Sequence, residues 1–521
     1  MRTRLTADWV VGHENGRHCL IVQGEVIFQD KHIIFVGHDF PGEVDITYAC
    51  GKALIAPGFI DLDALADLDT TILGFDNQPG WRKGRVWPQS YMDRGPYEMY
   101  TQEELIFQKR YAFAQLLRNG VTTALPISSL FYREWGETPE EFVSAADIAS
   151  ELGLRVYLGP AYRSGNQVVD ANETIGAYFN EARGLAGLKA AIEFCRTQEG
   201  RHGGLVRTML APDRIETCTP ELLRRTAAAS RELNVPVRLH CCQSRIEYEM
   251  VVSRHGMSPP EWLDSLDFLS PRVLLPHVTW VAGSRGIDRA GRDLEIIAAS
   301  GATVVHCPLV SARGGRALDS FARYRRQGLR IGIGTDTWPP DVVLNLQVGL
   351  MLSRVMDGDA ASVTAQDMFD AATIGGADAL DRSDLGRLAP GAMADIVVFD
   401  LSNDRIGQVI DPIQTLLIGV SGRDVRHVFV AGRMVVVDGA IPGLDMHTAN
   451  VRAQAQFAGL MARYPERTVG HPRVDEILLP AIQCVVVIGQ ERLEWRHRAG
   501  RPEATRHSRR GVPPSSLGAD Q

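Results

Sequence analysis

No run of about 18 apolar residues occurs in this 521-residue chain, so no segment is expected to cross a membrane as a helix. The N-terminal MRTRLTADWVVGHENG has no apolar core, and a signal peptide is not expected. Cysteines are few and unpatterned, eight in all at 19, 50, 195, 218, 241, 242, 307 and 484, with no CxxC spacing. That usage suits free thiols in a reducing cytosol and argues against a disulfide scaffold. Neither sign of charge dominates. A net charge of −8 and a pI near 6.0 give no electrostatic ground for a nucleic-acid or anionic-membrane partner. With 45% hydrophobic and 23% charged residues, an ordinary globular composition, the expectation is a soluble cytoplasmic protein.

What is present is an ordered alternation. Residues 1–56 read as short strands broken by turns (ADWVVGHENG, HCLIVQGEVIFQD, KHIIFVG), a pattern for a small β unit. From ALIAPGFID onward, apolar strand-like runs alternate with helical patterns. The runs are VTTALPI, LRVYLGPA, LVRTMLAP, VPVRLHC, RVLLPHV, ATVVHCP and LRIGIGTD. The helical candidates between them are 102–118, 138–152, 177–196, 219–233, 284–300, 315–327 and 341–356. Eight β-then-α units predict parallel strands with helical crossovers, an α/β chain closing into a (β/α)8 TIM barrel. After a further helical stretch at 364–380, β texture returns at LGRLAPGAMADIVVFD and VRHVFVAGRMVVVDG. These segments are expected to join the N-terminal strands in a small composite β-domain. The expected divisions are 1–56, 57–380 (the barrel), 381–445, a C-terminal extension at 446–493, and a flexible Arg/Pro/Ser-rich tail at 494–521.

Polar residues at the C-terminal ends of barrel strands are the candidates for chemistry, because that face builds the active site. In chain order they are Asp63, Tyr162 with Arg163, His240, His277, His306 and Asp336. His240, His277 and Asp336 share one context, a strand that stops on a metal-capable side chain. Two imidazoles and a carboxylate from three strand ends suit an open divalent site. There an ion would acidify water and Asp336 could take its proton. Each residue also has a plainer reading as a hydrogen-bonding or packed side chain. Trp338, before Pro339 and Pro340, is either a pocket wall or part of a proline-stiffened loop.

The ordered motifs KALIAPGFID, NGVTTA, VRLHCCQS, LLPHV, GATVVHCP, IGIGTD and LGRLAPGAMADIVVFD resemble the amidohydrolase superfamily. The resemblance is to the branch of chlorohydrolases, triazine hydrolases and cytosine- or guanine-type deaminases, and it runs over roughly residues 1–440. It implies a (β/α)8 barrel with a composite β-sandwich, one divalent metal (Zn, Fe or Mn), and hydrolysis of a C–N bond, or a C–halogen or C–S bond. The substrate implied is a small cyclic or aromatic nitrogen compound. It also implies a homo-oligomer, dimer or larger. Of the family's ligands, the His after strand 5, the His after strand 6 and the Asp after strand 8 fall on His240, His277 and Asp336. On this reading Asp336 is the base and His277 polarises the scissile centre, with His240 completing the set; Gln243, Tyr162, Arg163, His306 and Trp338 contact substrate.

Two departures stand out. The family's HxH pair after strand 1 falls on Asp63 and Leu65, so one ligand becomes a carboxylate and the other is lost. The deaminases' HxxE becomes His240-Cys-Cys-Gln243, and an amide cannot exchange a proton at a useful pKa. Three readings therefore stay open: a metal hydrolase with Asp63 among its ligands, a metal-free barrel working through the same side chains, or a non-catalytic relative that binds a small ligand or scaffolds a partner. The aromatic-rich insert at 68–100 is expected on the active-site face as a lid or substrate wall, or else as a packing loop. Its Arg82, Lys83, Arg85 and Arg94, with Arg163, are candidates to receive an anionic group.

Overall fold

The first two strands show how local sequence sets the frame. Arg2–Glu14 and Arg17–Gln29 are joined by Asn15-Gly16, both in the left-handed region with φ of 50° and 78°, the conformation a tight two-residue hairpin requires. The computed structural model describes residues 1–68 and 86–470, with short stretches beyond at 473–474, 482, 485–488 and 491–494. The tail from 495 onward lies outside the described residues, as do Trp81, Arg82, Lys83 and Arg85 of the insert.

The chain's two ends share one mixed sheet of eight strands. From one edge it runs Arg433–Val436, Val425–Val430, Ile396–Asp400, Ala53–Pro57, Arg2–Glu14, Arg17–Gln29 and His32–Gly37, with Ile46–Ala49 parallel to Arg2–Glu14. The join is the antiparallel pairing of Ala53–Pro57 with Ile396–Asp400.

Eight parallel strands follow, labelled here β1 (Phe59–Leu65), β2 (Val121–Ile127), β3 (Arg155–Leu158), β4 (Val206–Thr208), β5 (Val237–Arg238), β6 (Val273–Pro276), β7 (Thr303–His306) and β8 (Arg330–Ile333). They form two four-stranded sheets, β4-β3-β2-β1 and β5-β6-β7-β8. Every residue of β1 and β2 is buried, which explains their apolar runs without polar alternation. A parallel bridge between Leu210 and Val237 joins one pair of sheet edges. At the other pair the Asp336 amide donates to the Asp63 carbonyl at 2.9 Å.

Helices Gln102–Arg118, Pro139–Leu152, Pro220–Leu233 and Val342–Asp357 lie where the periodicity puts them. Thr101 and Glu104 close a reciprocal cap on the first. Three others differ. The helix expected at 177–196 begins at Glu181, because Ile175–Phe179 pairs with Gly165–Val169 as a hairpin. The pattern at 284–300 yields only Asp293–Ser300, since Gly283 and Gly286 adopt positive φ ahead of it. The pattern at 315–327 yields Phe321–Arg326, started by the Ser320 cap. Helix Arg245–His255, after β5, was not anticipated; Ser244 caps it. The C-terminal extension folds as helix Met446–Arg463 and a short 3-10 turn, Tyr464–Arg467.

Candidate functional site

The site begins with an irregularity in β1. Pairing with β2 advances from Asp61↔Ala124 to Ala64↔Pro126, so β1 carries one extra residue. Such a bulge re-aims the side chains that follow it. Asp61 anchors this turn to the end of β8: its carboxylate accepts from Thr335 Oγ1 at 2.6 Å and from the Thr335 amide at 3.0 Å. Burial raises its pKa to about 6. Asp63 follows, buried, with Oδ2 3.6 Å from His240 Nε2.

His240 lies two residues beyond β5. Its Nδ1 is 2.6 Å from the Asp213 carbonyl, so Nδ1 carries the proton and Nε2 faces Asp63. His277, just past β6, has φ of 77°, and Asp336, past β8, has φ of 42°. Left-handed backbone at two non-glycine residues costs about 1–3 kcal/mol each and clusters at functional positions. The imidazoles of His240 and His277 stack with centroids 5.6 Å apart, and His277 Nε2 is 3.5 Å from Asp336 Oδ2. Ligand-capable atoms of Asp63, His240 and His277 all lie within 4.8 Å of one another.

This donor set fits one divalent ion. Ligands bonded at about 2.0–2.2 Å in tetrahedral geometry sit roughly 3.3–3.5 Å apart, close to the 3.5 and 3.6 Å seen across the cluster. Among the described residues, neither ring nitrogen of the buried His277 makes a hydrogen bond. Leaving such groups unpaired costs about 1–3 kcal/mol each. An ion would satisfy one of the two.

The protonation states follow from burial and neighbours. Burial opposes the charged form of His240, yet Asp63 outweighs it and the pKa stands above the ordinary histidine value. Burial, then His240, drives His277 well below that value. Asp336 is raised to about 7, first by burial and then by Asp63. One imidazole is thus held neutral, and one carboxylate is a group that exchanges protons near neutrality.

The other expected residues distribute unevenly. Gln243, half-buried, accepts on its amide oxygen from Arg214. His306 is buried beside Phe321, centroids 5.8 Å apart, and burial lowers its pKa to about 4. Trp338 stacks on Tyr111 at 5.6 Å rather than standing free. Two residues expected to contact substrate are committed elsewhere. Tyr162 is fully packed, its hydroxyl 2.9 Å from Thr226 Oγ1. Arg163 is 3% exposed, held between Trp87 and Trp135 and 3.7 Å from Asp213. Strand β3 stops at Leu158, so both residues fall beyond its end, Tyr162 in a second short pairing of Ala161–Tyr162 with Ala211–Pro212 and Arg163 just after it. Arg94 of the insert is exposed.

Sequence reasoning missed a polar group around Arg214. Its guanidinium contacts Glu216 at 3.2 Å and Glu247 at 3.8 Å. Burial, then Glu216, lifts Glu247 to about 8. It also missed Arg238. Strand alternation puts that residue on the face of His240 two positions on, which was the available signal.

The family described as the amidohydrolase family matches residues 71–435. The 5-methylthioadenosine/S-adenosylhomocysteine deaminase of Natronomonas pharaonis is 28% identical over 83% of this chain and 92% of that protein. The 8-oxoguanine deaminase of Pseudomonas aeruginosa is 30% identical over 70% of this chain and 78% of that one. Among solved structures, the triazine hydrolase from Arthrobacter aurescens superposes with a TM-score of 0.71 at 19% identity, covering 88% of this chain and 99% of that one. An adenosine deaminase from Xanthomonas campestris with bound zinc superposes with a TM-score of 0.70 at 19% identity, over 88% and 97% of the two chains.

Proposed function

The chain belongs to the amidohydrolase family, and from that premise we propose that it hydrolyses a carbon–nitrogen bond of a small cyclic or aromatic nitrogen compound. The same chemistry would extend to a carbon–halogen or carbon–sulfur bond. The observation that carries the reading is the convergence of Asp63, His240 and His277, with Asp336 3.5 Å from His277. Relatives named as deaminases act at C–N bonds of purine compounds, which supports the substrate class.

Asp63, His240, His277 and Asp336 would hold a divalent ion, whose contribution is to bring the pKa of water down to about 7. Zinc is compatible with this mixed set, and one carboxylate, Asp63, in place of the family's two strand-1 imidazoles favours iron or manganese more than usual. Asp336, near pKa 7 in the chain alone, takes the proton from attacking water and returns it to the leaving group. The Asp213 carbonyl fixes the tautomer of His240. His277 polarises the scissile centre. Gln243 cannot protonate a ring nitrogen; with its oxygen taken by Arg214, its NH2 group is left to donate to a substrate acceptor. His306 and Trp338 remain proposed walls of the pocket, while Tyr162 and Arg163 support it from behind.

Coarser features extend the proposal. The Leu210–Val237 bridge and the Asp336–Asp63 backbone bond support closure of β1–β8 into one (β/α)8 barrel spanning 57–380, with the terminal sheet of 1–56 and 381–445 as a β-sandwich. A cytoplasmic homo-oligomer is part of the same reading.

The test is turnover. Purified protein supplied with Zn, Fe or Mn is assayed for ammonia or chloride release from aminopurines, aminopyrimidines and chloro- or aminotriazines. The reading expects release from at least one class and a loss of about 10²–10⁴-fold in kcat for Asp336→Asn. No release from any class by the metal-loaded protein would instead support the non-catalytic reading.

A further inference from the structure

Arg238 is a buried cation at the floor of the proposed ion site, 2% exposed. From β5 it reaches the opposite sheet: Nη1 donates to the Leu125 and Pro126 carbonyls of β2 at 2.9 and 3.0 Å. Its Nε lies 3.4 Å from Asp63 Oδ1 on β1. The Asp63 carboxylate is therefore divided. Oδ1 faces the guanidinium, while Oδ2 faces His240 Nε2 at 3.6 Å and the Cys307 thiol at 3.8 Å. Close by are Leu62, Ala64 and Leu65, all buried. A carboxylate in such surroundings carries a desolvation penalty of several kcal/mol unless a cation meets it. Two backbone carbonyls fix the guanidinium plane, so its approach to Asp63 is set by β2 and not by a flexible chain.

We propose that Arg238 is a positioning residue for Asp63: it occupies Oδ1 so that the carboxylate presents Oδ2 alone to the ion, as a one-oxygen ligand standing where the family has an imidazole. The inference rests on the metal reading above. Arg238 and Asp63 form one unit, in which the acid on β1 is held by the base on β5. An arginine suits the task because its planar fork serves two carbonyls and a carboxylate together, which a lysine ammonium does not.

Cobalt(II) and zinc binding to the full-length protein, measured by chelator competition and by the cobalt visible spectrum, tests the proposal. Partners that orient a ligand typically contribute 10–100-fold to metal affinity. Arg238→Met is expected to bind about 10–100-fold more weakly, with an altered cobalt spectrum, and Arg238→Lys is expected to recover part of both. In an Asp63→Ala background, Arg238→Met should add little further loss. If Arg238→Met does not fold, Arg238→Lys carries the same comparison with a smaller change. Unchanged affinity and spectrum in the folded variants overturn the proposal while leaving the metal reading intact. Absence of ion binding by the unaltered protein overturns the metal reading, and this inference falls with it.

Discussion

Asp63 meets Arg238 through one oxygen and His240 through the other, and its removal exposes both partners. Asp63→Ala is expected to weaken divalent-ion binding by at least tenfold and to destabilise the protein by about 3–5 kcal/mol, because Arg238 is left buried and unpaired. Titration calorimetry and chemical denaturation check the two effects. Glu247 makes a separate pH prediction. Its pKa of about 8 in the folded chain exceeds the roughly 4.3 of an unfolded glutamate. Between those values the folded state binds the extra proton, so this group's contribution is fully present at low pH and is lost as pH rises through 8. Glu247→Gln is expected to flatten that decline between about pH 5 and 8. It should also cost about 1–3 kcal/mol, because the Cys242 and Gln243 amides each use one carboxyl oxygen and glutamine keeps only one.

At the scale of elements, the C-terminal extension pins residues 86–100 of the insert. Arg467 is wholly buried and enters a cage of Trp87, Tyr91 and Tyr97, with centroid distances of 5.3, 4.9 and 5.4 Å. It donates to the Phe131 and Arg133 carbonyls at 2.6 and 2.9 Å, and a desolvated cation–π contact is worth about 2 kcal/mol. Arg163 also lies over Trp87, beside Asp213, whose carbonyl holds His240. Arg467→Ala is expected to cost about 3 kcal/mol and to open residues 86–100 to protease before the barrel unfolds; limited proteolysis with mass mapping reads this directly. Cleavage no faster than in the unaltered protein would show that the extension does not restrain the insert.

Over the whole molecule, the sequence was most legible where a regular element repeats. The eight strand runs and the helices at 102–118, 138–152, 219–233 and 341–356 appear within a few residues of their expected ends, because apolar periodicity and capping residues act locally. The helices read too long, at 284–300 and 315–327, begin late where glycine conformations or a serine cap intervene. His240, His277 and Asp336 could be read from strand ends. The commitments of Tyr162 to Thr226 and of Arg163 to Asp213 and two tryptophans could not, since those partners are distant in sequence. Arg238 was hidden for a different reason: within an apolar strand an arginine signals a partner without naming it, and the partner lies 175 positions earlier, the separation of 238 and 63. Bound ion is expected to raise stability by about 2.7 kcal/mol at a hundredfold excess over Kd, so chelation should lower the Tm reversibly.

The central claim, that this α/β fold holds a catalytic divalent ion through an altered ligand set, is tested most directly by elemental analysis of the purified protein. After growth with Zn, Fe and Mn supplied, about one ion per chain is expected, and close to none in a His240→Ala, Asp336→Ala double variant that remains folded. A folded, unaltered protein without stoichiometric metal under those conditions would contradict it.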